Sequence, residues 1–203
     1  MVLQRLRGAT IEECNLTLIQ TKSFAGNVLD IFGYTGFSEE ENAIIVAFRG
    51  TVDIQNWIAN LDAQQINYPG CSGCLIHEGF YDAFQTVEGY VRKQVEALAA
   101  QYRDSKIYVT GFSLGGALAT VAALDLKDIF GKVDQFYSFG QPRVGNENFA
   151  SHFSSVISNH FRVIHYADIV PHVPPQIPIP YSHFAYEIWY NEAMTSFKQC
   201  GAE

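Results

Sequence analysis

Val109-Thr110-Gly111-Phe112-Ser113-Leu114-Gly115-Gly116-Ala117 sets a serine between two glycines, where an apolar run gives way to an alanine-rich helical pattern. A serine on a sharp strand-to-helix turn needs small residues two positions to either side, so that strand and helix can approach closely. Gly111 and Gly115 meet that demand. Lys106 to Thr110 is β-branched and aromatic, and Leu114 to Ile129 favours helix. The spacing predicts a nucleophile elbow with Ser113 at its apex.

Strand and helix patterns alternate outward from the elbow. Upstream, Ala43 to Phe48 is apolar throughout, as in a strand covered on both faces. The acidic turn Ser38 to Asn42 joins it in a hairpin to a strand over Val28 to Tyr34, and Leu16 to Gln20 reads as an earlier strand. Apolar residues at three- and four-residue intervals between Phe80 and Tyr102 predict a long helix packed on the sheet. Downstream, Val133 to Phe139 and His160 to Tyr166 read as strands with a helix over Glu147 to Ile157 between them, and Tyr186 to Tyr190 reads as the last strand. This order predicts one α/β domain over 1–203, with a central, mostly parallel sheet flanked by helices.

A chain of 203 residues, 48% hydrophobic and 17% charged, is long enough to bury a core. Its net charge of −8 argues against nucleic acid and against electrostatic attachment to anionic membranes. No run reaches the roughly eighteen apolar residues of a membrane span, and Met1 to Thr10 lacks the apolar core of a leader. Cys71 and Cys74 lie in a Pro-Gly-Cys-Ser-Gly-Cys turn, which fits a loop disulfide; a thioredoxin-type pair would open a helix, and zinc would need a second ligand pair nearby. The pairing of Cys14 and Cys200 stays open, as does the oligomeric state, and no metal or cofactor is implied.

A serine hydroxyl becomes nucleophilic when a base takes its proton and a carboxylate orients that base. Asp168 is the natural carboxylate: it follows Ser113 just past a later strand end, on the proline-stiffened stretch Ala167 to Pro175. The oxyanion of a tetrahedral intermediate needs donors set in place beforehand. The backbone N–H of Leu114 is one, and Thr51 offers an N–H and a hydroxyl, though it also fits a turn or a helix cap. Ile54, Trp57, Ile58 and Leu61 share one face of a short helix, which suits either the core or a movable lid.

Six segments together resemble the fungal-type (class 3) lipases. They are Phe48-Arg49-Gly50-Thr51, Asn56-Trp57-Ile58-Ala59, His77-Glu78-Gly79-Phe80, the elbow, Gly140-Gln141-Pro142-Arg143-Val144-Gly145, and Asp168-Ile169-Val170-Pro171-His172-Val173-Pro174, and the likeness runs over residues 16–200. The resemblance implies an α/β-hydrolase fold and hydrolysis of lipid esters, of the triacylglycerol lipase or phospholipase type, at a lipid–water interface. It also implies Ser113 as nucleophile, Asp168 as acid, and the Ile54, Trp57, Ile58 and Leu61 face as a lid. A parent protein with a leader would be secreted or lumenal.

The family's catalytic histidine falls in an Asp-His segment after the strand that contains Glu187 to Tyr190, and no such segment is present before Glu203. His183 is the third-member candidate by order alone, but it matches a family histidine that is not the base. Both ends are therefore expected to be shortened relative to the family, and Cys200 fits that expectation. The alternative function is a catalytically incomplete lipase-like fragment or a non-catalytic lipid-binding domain.

Overall fold

The computed structural model describes residues 17–201. Leu16 and Cys14 lie outside the described residues. Among the described residues ten strands form the framework: β1 Ile19–Gly26, β2 Ile31–Ser38, β3 Ala43–Phe48, β4 Gln65–Asn67, β5 Leu75–His77, β6 Lys106–Phe112, β7 Gln135–Phe139, β8 His160–His165, β9 Glu187–Tyr190 and β10 Phe197–Cys200. The helices are α1 Ile54–Ala59, α2 Glu78–Gln101, α3 Leu114–Phe130 and α4 Glu147–Val156. Eight strands make one sheet in the order β1-β2-β3-β6-β7-β8-β9-β10, and β4 and β5 pair separately.

The centre of the sheet is parallel from β3 through β6, β7 and β8 to β9. The edges at β1, β2 and β10 are antiparallel. Parallel neighbours need crossovers; helices α2, α3 and α4 supply the first three, and the Pro-rich loop with a short 3-10 turn at Val170–His172 joins β8 to β9. Helix α2 turns Phe80, Phe84, Val87, Val91, Val95 and Leu98 inward, the predicted periodicity. Helix α3 is buried nearly throughout, from Leu114 to Leu126. All six residues of β3 are buried, as its continuous apolar run requires.

Three departures from the sequence reading bear on the sheet. Val28 to Asp30 is a turn rather than the start of β2, with Leu29 and Asp30 at φ 55° and 48°; the apolar Val28 and Leu29 are exposed turn residues. β1 accordingly continues to Gly26 through Lys22 and Ser23, residues that an edge strand tolerates. Glu187–Tyr190 is not the last strand, because the short, polar β10 pairs beside it. Its sequence, Phe-Lys-Gln-Cys, shows too little alternation to stand out.

Candidate functional site

Ser113 adopts φ 54°, ψ −125° immediately before α3, a conformation that costs a non-glycine residue on the order of 1–3 kcal/mol and persists only where its surroundings enforce it. The enforcement is visible. Ser113 N–H donates to the Phe139 carbonyl at 2.9 Å, and its own carbonyl accepts from Gly116 N–H at 2.9 Å. A Cβ on Gly111 would collide with the Gly115 carbonyl, and one on Gly115 with the carbonyls of Phe48 and Arg49. Strands β3 and β6 and the start of α3 therefore meet backbone to backbone. Ser113 is fully buried, and its Oγ has no hydrogen-bond partner among the described residues.

The segment after β3 abuts this turn: a Cβ on Gly50 would stand 2.8 Å from the Phe112 carbonyl oxygen and 3.2 Å from Ser113 Cβ. Thr51 follows directly, so the sequence's two oxyanion candidates, Thr51 and Leu114, start on either side of Ser113. Thr51 Oγ1 also accepts from Asp53 N–H at 3.4 Å, so its hydroxyl takes part in the turn that leads into α1.

Asp168 lies past the end of β8. Its N–H donates to His165 O at 3.1 Å, and its Oδ1 accepts from Val170 N–H at 3.0 Å. Its Oδ2 leans over Gly140, whose φ is +53°. Because Ser113 is anchored to Phe139 and Asp168 leans on Gly140, the end of β7 brings the serine turn and the carboxylate loop to one place. The Pro-rich loop is held from the opposite direction by Arg143, whose Nη1 donates to the carbonyls of His172 at 2.9 Å and Pro174 at 3.1 Å.

His183 is 4% exposed, with Nε2 placed 2.8 Å from the Pro171 carbonyl. Burial first, and then the neighbouring Arg162 guanidinium, push its pKa well below the usual histidine range. His77 caps α2, accepting from Phe80 N–H through Nδ1 at 3.4 Å. His160 engages the Ile157 carbonyl through Nδ1 and lies 3.4 Å from Ser154 Oγ through Nε2. His165 is the histidine that shares a cavity with Asp168, and its Nε2 is 3.0 Å from the Glu192 carbonyl.

Ile54, Trp57, Ile58 and Leu61 are the half-buried positions of the segment that contains α1, with Asp53, Gln55, Asn56, Ala59 and Asn60 exposed, as the periodicity predicts. The helix ends at Ala59, so Leu61 falls just beyond it. Trp57 stacks on Phe80 with ring centroids 6.3 Å apart, and no residue of α1 is buried. Cys71 and Cys74 are joined in a disulfide, and Cys200 is exposed, with no disulfide partner among the described residues. The Asn146 and Asn148 side-chain amides tie this loop to the start of α4 by donating to Gly73 O.

The family described as Lipase (class 3) matches residues 45–177. The chain belongs to the class 3 lipases. It is 36% identical over 167 residues to a secreted mono- and diacylglycerol lipase 1 of Fusarium solani, covering 82% of this chain and 50% of that protein. It is 35% identical over 175 residues to a lipase of Rhizomucor miehei, covering 84% and 48% respectively. The chain thus spans about half the length of these curated relatives. Among solved structures, Rhizomucor miehei triacylglyceride lipase superposes with a TM-score of 0.84 at 32% identity, over 93% of this chain and 73% of that one. A triacylglycerol lipase whose catalytic centre is formed by a serine protease triad gives 0.84 at 33% identity, with the same coverage. The fold is that of an α/β-hydrolase.

For this class 3 lipase chain, one feature beside the site was not read from the sequence. The sheet face opposite α3 holds a groove of about 490 Å³, lined by Tyr108, Phe112, Tyr137, Phe139, Tyr190 and, at one end, Asp168. Phe112 is 49% exposed and Phe139 42%, so strands β6 and β7 are open on the face where β3 is covered. The signal was the alternation Gln135, Tyr137, Phe139 against Phe136 and Ser138, which assigns the two sets to opposite faces.

Proposed function

We propose that this chain carries the nucleophile, the orienting acid and the oxyanion donors of a serine hydrolase acting on lipid esters. The observation that carries the reading is Ser113: a strained, enforced turn at a helix N-terminus, with a buried Oγ that no neighbouring side chain engages. In this reading Ser113 Oγ attacks the ester carbonyl carbon, the Oγ proton passes to a base and then to the leaving alcohol oxygen, and water later releases the acyl group. Leu114 N–H and Thr51 hold the oxyanion, and a donor at the helix N-terminus needs no reorganisation as charge develops. Asp168 orients the base, an imidazole. We assign His183 a structural role, because its Nε2 is committed to the Pro171 carbonyl in a dry setting. The α1 face closes the site as a lid, and no metal or cofactor enters the reaction.

The placement of His183 favours one second reading, a lipid-binding domain that keeps the fold without turnover. A fluorophosphonate distinguishes the two. With imidazole present, labelling at Ser113 that disappears in Ser113→Ala supports the hydrolase, and a folded chain that stays unlabelled supports the binding domain. The identity of the base is tested with a soluble p-nitrophenyl ester. Added imidazole should raise turnover saturably in the wild type but not in Ser113→Ala or Asp168→Ala. Strong activity without imidazole that is lost in a folded His183→Ala variant would overturn the structural assignment of His183.

A further inference from the structure

The inner side of the elbow contains two polar groups that the reaction does not use. Where β6 meets α3, Gly111, Gly115 and Gly116 present no side chains. A Cβ on Gly116 would lie 3.2 Å and 3.3 Å from Cβ and Cγ of Gln141 and 3.4 Å from Cβ of Ser138. Ser138, in β7, and Gln141, just after it, therefore face the same glycine of the elbow helix. Ser138 is fully buried and Gln141 is 1% exposed. Neither Ser138 Oγ nor Gln141 Nε2 has a hydrogen-bond partner among the described residues. Thr120, one turn further along α3, reaches the Gln141 amide: its Oγ1 is 2.9 Å from Gly116 O and 3.4 Å from Gln141 Oε1.

Glycines on the facing helix offer no side chain to meet these atoms, and Gly116 N–H is already given to the Ser113 carbonyl. Buried polar groups without a protein partner are satisfied by ordered water, which needs two to four polar contacts. Gln141 Nε2 donates and Ser138 Oγ donates or accepts, which supplies the two contacts a water needs as a minimum, and Thr120 Oγ1, next to the Gln141 amide, has a lone pair to spare.

We propose that Ser138 and Gln141 hold one buried water behind Gly116, and that this bridge fixes the first turn of α3. Both are then positioning residues for Ser113 and the Leu114 N–H. The positioning half rests on the function proposed above; the water does not.

The test begins with Ser138→Ala, which removes a single oxygen. If the water is held, Tm falls, and Ser138→Ala combined with Gln141→Leu is no worse than the worse single variant, because both act through one molecule. If the site is dry, Ser138→Ala deletes an unsatisfied hydroxyl, and Tm stays level or rises; that result overturns the proposal. Should Gln141→Leu fail to fold, crystal structures of the wild type and of Ser138→Ala decide. Density within hydrogen-bond distance of Ser138 Oγ and Gln141 Nε2 is expected in the first, and its absence there overturns the proposal.

Positioning is read from fluorophosphonate kinetics. Ser138→Ala should lower the maximal inactivation rate roughly tenfold with the half-saturating concentration unchanged. An unchanged rate overturns the positioning half. A wild type that is never labelled overturns it together with the proposed function, while the Tm and density results still decide the water.

Discussion

The Asp168 carboxylate closes over Gly140 so tightly that a Cβ there would stand 2.5 Å from Asp168 Oδ2 and 3.5 Å from Phe112 Cε2. Gly140 also has φ +53°, whereas Gly131, at φ +70°, has open space around its Cβ position. The two glycines separate backbone strain from crowding. Gly131→Ala should cost about 1 kcal/mol, the left-handed penalty alone. Gly140→Ala should cost about 1–3 kcal/mol more, the usual penalty for overpacking, and should slow fluorophosphonate labelling by displacing Asp168. Denaturant unfolding of both variants checks the ranking. Equal costs would show that Asp168 does not rest on Gly140.

The elbow was legible because its constraint is local: glycines at 111 and 115 are required by contacts within a few residues of Ser113. The position of Asp168 was legible for a different reason, since a residue just past a strand end is placed by topology. The turn at Val28 to Asp30 was not, because its φ values near 50° fall on Leu29 and Asp30, between Val28 and Ile31, whose β-branched side chains favour strands. Nor was the half-open sheet: an apolar run such as Ala43 to Phe48 reports burial of its own strand and says nothing about Phe112, on the next strand, or Phe139, two strands away. The environment of His183 was hidden for the same reason. Its carbonyl partner is twelve residues away, in a loop whose path Arg143 helps to set.

Trp57 is the reporter for the proposed lid. It stacks on Phe80, its Nε1 is buried with no partner among the described residues, and the helix that carries it buries nothing fully. A segment held by so few buried groups opens at low cost. In Trp189→Phe, which leaves Trp57 as the single tryptophan, fluorescence should be quenched when the protein meets zwitterionic vesicles of brominated phosphatidylcholine. Trp57→Ala should weaken vesicle binding, measured by sedimentation. Vesicle binding that leaves Trp57 unquenched would place the lipid contact elsewhere and count against the lid.

Three buried imidazoles make the stability of the fold sensitive to acid. His77, His160 and His183 all have lowered pKa values, in each case chiefly through burial; Asp62 offsets the effect at His77, the Ile157 carbonyl partly offsets it at His160, and Arg162 deepens it at His160 and His183. In the unfolded chain a histidine takes up a proton near pH 6.5, whereas these three resist protonation in the fold. Below about pH 6.5 the unfolded state therefore binds more protons, so stability is complete above that pH and is lost as pH falls. Each histidine adds a slope approaching about 1.4 kcal/mol per pH unit, in a window that opens near pH 6.5 and runs down to its own lowered pKa, furthest for His183. His183→Gln keeps an amide donor for the Pro171 carbonyl but cannot titrate. Unfolding free energies measured between pH 5 and 7.5 should fall less steeply with acid in this variant than in the wild type, by up to one proton's worth of slope. An unchanged slope would mean that His183 is protonated as readily in the fold as in the unfolded chain, and the dry, carbonyl-bound setting assigned to it would be wrong.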